Sequence, residues 1–195
     1  MDVIQKIADE LAVHVKQVKA AVNLLDEGAT VPFIARYRKE VTGGLDDSQL
    51  RLLDERLIYL RELNTRRDTI LDSIRSQEKL TVALELAIKE AETKTRLEDL
   101  YLPYKPKRRT KAQIAREAGL ESLADAILSD RNCIPSDIAS RYLNSEHKIN
   151  DATAALDGAR QIIMERLSEE AELVSTLRTR LWNKGVLHAT VAKDK

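Results

Sequence analysis

Between Asp99 and Glu117 the chain carries six cations and no acid: Lys105, Lys107, Arg108, Arg109, Lys111 and Arg116. They follow two tyrosines in the run LYLPYKPKRRTKAQ, where Pro103 and Pro106 bias the backbone toward an extended path that displays side chains to solvent. Thr110 and Gln113 have the spacing of a capping box, which predicts a helix opening at Lys111. Cations at that end oppose the helix dipole by about 0.3–1 kcal/mol each, and an anion would relieve the opposition. Free backbone N–H groups, the dipole and flanking Lys and Arg are the chemistry of a phosphate site, and Tyr101 and Tyr104 could stack on bases. Three readings stay open: a nucleic-acid or phosphate contact, internal salt bridges to acids such as Glu90, Glu92, Glu98, Asp99 or Glu169, Glu170, Glu172, and a surface that docks protein. Likewise Tyr101 and Tyr104 are either stacking residues or core.

A second basic group, Arg36, Arg38 and Lys39, lies in EGATVPFIARYRKEVTGGLDD. Thr30 and Pro32 predict the start of a short helix, and the three cations suit its negative end. That structural use competes evenly with ligand binding. The candidate nucleic-acid contacts are therefore Lys105, Lys107, Arg108, Arg109 and Lys111, with Arg36, Arg38 and Lys39.

Other chemistries find little support. His14, His147 and His188 lie far apart with no metal-ligand spacing. The sequence shows no phosphate-cradling glycine loop, serine elbow or credible Cys and His pair, and its carboxylates sit three or four residues from Lys or Arg, as on solvated helix faces. No catalytic residue, metal site or cofactor is nominated, and the chain is not expected to be an enzyme. The single cysteine, Cys133, precludes an intramolecular disulfide and fits a reducing cytoplasm.

The elements that must hold these groups are predicted to be helices. Of 195 residues, 33% are charged and only 4% aromatic, a bias away from sheet. Lys plus Arg and Asp plus Glu are 32 each, so no whole-molecule field selects a partner and local clustering must. No apolar run approaches the roughly 20 residues needed to cross a bilayer and no signal peptide is seen, so a soluble intracellular protein is expected.

Apolar spacing predicts two helices within 3–26, broken near Ala12 to His14 in a helix-turn-helix-like pair whose second member offers only Lys16 and Lys19 to DNA. Gly43 and Gly44 make a turn, and Asp46 or Asp47 caps a long amphipathic helix with Leu50, Leu53, Leu57 and Leu60 on one face, interrupted near Asn64 and Arg67. Thr81 and Thr95 are predicted to start further helices, the second stopping before Pro103. Others follow Gly119, a cap at Ser136, and Asp151, the last running as one long helix to Gly185. Val186, His188, Thr190 and Val191 read as the start of a strand without a partner. The expected organisation is all-α: a multi-helix array with a helix-turn-helix-like segment at 1–47, a helical region at 48–185, and at 186–195 a strand-like start of a further domain.

Three blocks carry a family resemblance: TVPFIARYRKEVTGGLDD at Thr30 to Asp47, LEDLYLPYKPKRRTKA at Leu97 to Ala112, and GARQIIMERLSEEAE at Gly158 to Glu172. Together they resemble the N-terminal region of the bacterial Tex family of cytoplasmic transcription accessory proteins. The resemblance implies a segment that precedes a ribonuclease-H-like domain, helix-hairpin-helix motifs and a C-terminal OB-fold that binds RNA. It implies partners in nucleic acid, RNA or single-stranded DNA, and in RNA polymerase or other transcription proteins. No family catalytic residue maps onto these positions. Two functions are carried forward: a helical module that associates with nucleic acid, and a scaffold that docks protein, expected to expose an apolar patch such as the Leu50 to Leu60 face.

Overall fold

In the computed structural model, which describes residues 2–130 and 132–190, eleven α-helices form and no strand does among those residues. Their contacts group into two compact units that divide between Leu97 and Glu98.

In the first unit, α1 (Val3–Leu11) and α2 (Val15–Asp26) are separated at Ala12, whose left-handed conformation ends α1. Next come α3 (Val31–Tyr37), α4 (Asp47–Ser76) and α5 (Val82–Glu90). Asp46 caps α4 by accepting from the Gln49 N–H at 2.8 Å, and Thr81 caps α5 through Leu84 N–H at 3.2 Å. The helix α4 is the spine on which α1, α2, α3 and α5 pack. Its Leu50, Leu53, Leu57 and Leu60 are buried, so the face expected to be an exposed docking patch is core instead.

Asn64 and Arg67 interrupt the apolar pattern of α4 but not the helix. Arg67 is 5% exposed, and its guanidinium ends on oxygens: Nε donates to the Ile88 carbonyl at 3.1 Å, Nη2 to the Ala91 carbonyl at 2.8 Å, and Nη1 to Asn64 Oδ1. These carbonyls lie at the C-terminal end of α5, where a cation is electrostatically favoured. The interruption in the sequence is therefore a clamp between α4 and α5.

The helix α6 (Lys94–Tyr101) spans the division and stops before Pro103, which lies in a 3₁₀ turn. Thr93, not Thr95, takes the role of its cap, since Thr93 Oγ1 accepts from the Arg96 N–H at 3.1 Å. The second unit then comprises α7 (Lys111–Glu117), α8 (Glu121–Ser129), α9 (Pro135–Ala139), α10 (Ala152–Glu169) and α11 (Ala171–Lys184). Its spine is α10, capped by Asp151 through Ala154 N–H at 2.8 Å. A Cβ at Gly158 would fall 2.3 Å from Leu120 Cδ1, so glycine lets α10 approach Leu120 at the start of α8. The core there is built from small residues, Ala112, Ala115, Ala155 and Ala159, with Leu120, Leu123 and Ile162.

Three further expectations are corrected. Ser136 sits inside the first turn of α9, which opens with Pro135 at its first position and Ile134 at the cap. The predicted single helix from Asp151 to Gly185 is two, because Glu170 is extended. The break places Glu172 in the first turn of α11, where acids complement the dipole, rather than inside a longer helix. Residues 186–190 form no strand and pair with none of the described residues, and Val191 lies outside the described residues.

Candidate nucleic-acid interface

The six cations of the 105–116 segment meet different fates. Glu165 of α10 points at the start of α7 with a side chain 15% exposed. It accepts from Arg116 Nη1 at 2.6 Å and from Thr110 Oγ1 at 3.0 Å, and Lys107 Nζ lies 3.7 Å away. Burial pushes the Glu165 carboxyl up, but the hydrogen bonds from Arg116 and Thr110, helped by the field of Lys107 and Arg116, outweigh it and hold the group below its ordinary value. Lys107 also pairs with Glu169, and Arg109 pairs with Glu117. Hydrogen bonds from Arg109 and Gln113 lower the Glu117 carboxyl as well.

Thr110 accepts from the Gln113 N–H at 3.0 Å, so the predicted cap forms and occupies the start of α7 with a hydroxyl of the chain itself. The segment thus keeps Lys105, Arg108 and Lys111 as exposed cations with no acid partner among the described residues, while Lys107, Arg109 and Arg116 are bound to carboxylates. Tyr101 is buried at 7% exposure, which makes it core rather than a stacking surface.

The Arg36, Arg38 and Lys39 group is arranged differently. Val31 and Ile34 are buried, while on the flank of α3 beside Ile34 the side chains of Phe33 and Tyr37 are 40% and 61% exposed. Their ring centroids are 5.4 Å apart with planes inclined by 47°, and the Arg38 guanidinium lies 5.2 Å from the Phe33 centroid. All three cations are exposed, and no ion pair involves them among the described residues.

Neighbouring cations of the same unit are paired. Arg56 forms two hydrogen bonds with Glu10 at 2.6 and 2.7 Å, and Arg61 does so with Asp26 at 2.6 and 2.8 Å. Sequence reasoning named the α3 cations but missed Phe33 and Tyr37 beside them. The signal was available: two aromatics four residues apart, which meet on a helix surface, among three cations.

Among the described residues no group of three or more His, Cys, Asp or Glu side chains is placed to hold a metal ion. No helix among them is long and apolar enough to cross a membrane.

A two-unit all-helical fold with exposed basic segments defines a helical module. Residues 1–75 match the Tex-like protein N-terminal domain, and residues 130–195 match the Tex central region-like family. The chain is 60% identical over 193 residues to Protein tex of Bordetella pertussis, covering 99% of this chain and 24% of that protein. It is 56% identical over 198 residues to the Transcriptional accessory protein Tex of Neisseria gonorrhoeae, covering 100% of this chain and 26% of that one. It is also 32% identical over 128 residues to the human S1 RNA-binding domain-containing protein 1, covering 65% of this chain and 13% of that protein. The chain belongs to the Tex family. It spans about a quarter of the length of the bacterial Tex proteins it matches.

Proposed function

We propose that this chain is a helical module of a transcription accessory protein that associates with nucleic acid, RNA in the first instance, and catalyses no reaction of its own. The observation that carries the reading is the set of exposed cations without acid partners among the described residues, Arg36, Arg38 and Lys39 on one unit and Lys105, Arg108 and Lys111 on the other. Nearby Arg56 and Arg61 show that this fold pairs its arginines where acids are within reach. The names of the relatives, a transcriptional accessory protein and an S1 RNA-binding domain protein, agree with it.

Titration of the chain with single-stranded RNA at several salt concentrations tests the proposal, because each neutralised phosphate adds about −0.7 to the log-log slope. A slope of roughly −2 or steeper is expected from three or more contacts. An absence of binding at low salt overturns the reading. Incubating the same RNA with the chain and Mg²⁺ should leave it intact; cleavage by the pure chain would overturn the non-enzymatic part.

A second reading, a scaffold that docks transcription proteins without touching nucleic acid, has its own observation. Leu181 is 69% and Trp182 90% exposed on α11, with Leu177 one turn earlier at 48%. It predicts binding to purified RNA polymerase that Leu181→Asp abolishes and Arg36→Ala leaves unchanged.

A further inference from the structure

We propose that α3 presents a preformed stacking platform for single-stranded nucleic acid, in which Tyr37 and Phe33 take unpaired bases while Arg36, Arg38 and Lys39 take the flanking phosphates. This rests on the nucleic-acid reading above and names the form of nucleic acid that the α3 surface selects.

The platform is fixed from below and from behind. Below, Val31 and Ile34 seat α3 in the core of its unit. Behind it, the 38–44 loop closes on itself. Thr42 is fully buried, its N–H donates to the Arg38 carbonyl at 3.2 Å and its hydroxyl to the Lys39 carbonyl at 3.1 Å, and the Gly44 N–H donates to the same Lys39 carbonyl at 2.9 Å. Gln17 of α2 then ties the loop down, donating from Nε2 to the Gly43 carbonyl at 2.8 Å. Glycine suits position 43, where φ is +63° and a Cβ would come within 3.1 Å of the Gln17 side chain. The backbone that carries Arg38 and Lys39 is therefore set before any ligand arrives, and binding has little loop to order.

Charge and ring chemistry choose the occupant. Three exposed cations with no acid bound to them among the described residues favour a polyanion, and two exposed rings in contact with each other, with the Arg38 guanidinium over Phe33, offer π-faces that every base can match. A duplex hides its base faces inside its own stack, so it can use only the cations. A single strand can use both. Rings and cations consequently make separable contributions, the rings to the preference for single strands and the cations to affinity and salt dependence.

The test uses the 195-residue chain and a single-stranded RNA carrying one 2-aminopurine, free and annealed to its complement. Tyr37→Ala should weaken single-strand binding roughly ten-fold and remove the stacking change in 2-aminopurine fluorescence, with duplex binding unaltered. Tyr37→Trp should retain both signals. Arg36→Ala combined with Lys39→Ala should weaken single strand and duplex alike and flatten the single-strand salt slope by about 1.4.

Because Tyr37 is exposed, circular dichroism of Tyr37→Ala should match the parent; Phe33→Leu, which keeps apolar bulk but loses the ring, provides a second variant. If both ring variants bind single strands like the parent with the same fluorescence change, while the cation variant weakens, stacking is overturned and the nucleic-acid reading stands. If the parent binds no RNA at low salt, both fall.

Discussion

The two basic segments look alike as strings of Lys and Arg, and the fold uses them in opposite ways. In the 105–116 segment, three of six cations are drawn onto Glu165, Glu169 and Glu117, two of them onto α10, so that part of the positive charge holds the second unit together. At α3 the cations stay in solvent beside exposed rings, while Arg56 and Arg61 of the same unit are paired with Glu10 and Asp26. Cation density along a chain therefore does not locate a polyanion site. What matters is whether the tertiary fold brings carboxylates to the same place.

Arg67 is the extreme of a cation consumed by structure, and it offers the largest effect. Replacing it with Ala removes the guanidinium donors to the Ile88 and Ala91 carbonyls in a buried position, so a loss of about 3 kcal/mol is expected in urea unfolding. Arg67→Lys should recover only part of it, because an ammonium lacks the planar fork that reaches both carbonyls. Full stability of Arg67→Ala would mean that the buried cation is incidental. Neither substitution should change RNA binding at α3.

Next in size is Glu165→Ala, which removes the shared acceptor of Arg116 and Thr110 and should cost about 2 kcal/mol. The same substitution sharpens the comparison between the two segments. With its acid gone, the 105–116 segment becomes more like α3, so RNA affinity should rise and the salt slope steepen by up to about 0.7 per cation freed. Weaker stability with unchanged RNA binding would show that this segment faces no phosphate even when released.

How much of this was legible in the sequence depends on range. The caps at Asp46, Thr81, Thr110 and Asp151 were legible because each is settled within three residues, and the long apolar face of α4 because its period is local. The family was legible in three long blocks of wording. The fate of the cations was posed by the sequence but not answered by it. Glu169 stood among the acids that could take them, yet the partners are 62 residues apart for Lys107 and Glu169 and 49 for Arg116 and Glu165, separations that only the packing of α7 on α10 resolves. The helix break at Glu170 was hidden for a related reason: the acid run reads equally well inside a helix or at the start of a new one. Phe33 and Tyr37 were overlooked because aromatics default to core, and Tyr37 even stands in step with the buried Val31 and Ile34, so that only the packing of α3 leaves both rings exposed.

Acidification separates the same two regions. The Glu165 carboxyl is depressed in the folded chain, while an unfolded Glu titrates near about 4.3. The stability it contributes is thus fully present above that value and is lost as pH falls through the lower folded value. Thermal midpoints of the parent should drop across that acid window, and Glu165→Gln should have a lower midpoint at neutral pH but a flatter profile. Among the described residues no acid is paired with the α3 cations, and a profile unchanged by Glu165→Gln would detach the second unit's stability from the Glu165 cluster.

The smallest effect belongs to the pair of Arg109 and Glu117, whose side chains are 66% and 37% exposed. Water screens such a pair, and holding two long side chains in one geometry costs most of what their attraction returns. Arg109→Ala should therefore leave the thermal midpoint within the error of a scan, in contrast to Glu165→Ala on α10 of the same unit. The informative readout is RNA binding. Arg109 engages Glu117 through two nitrogens, so its charge is locally cancelled, and its removal should move the salt slope by far less than the roughly 0.7 expected for Arg36→Ala at α3. Equal slope changes from the two substitutions would show that exposed ion pairs open readily to phosphate, and the distinction between paired and unpaired basic segments would then fail where the pairing is on the surface.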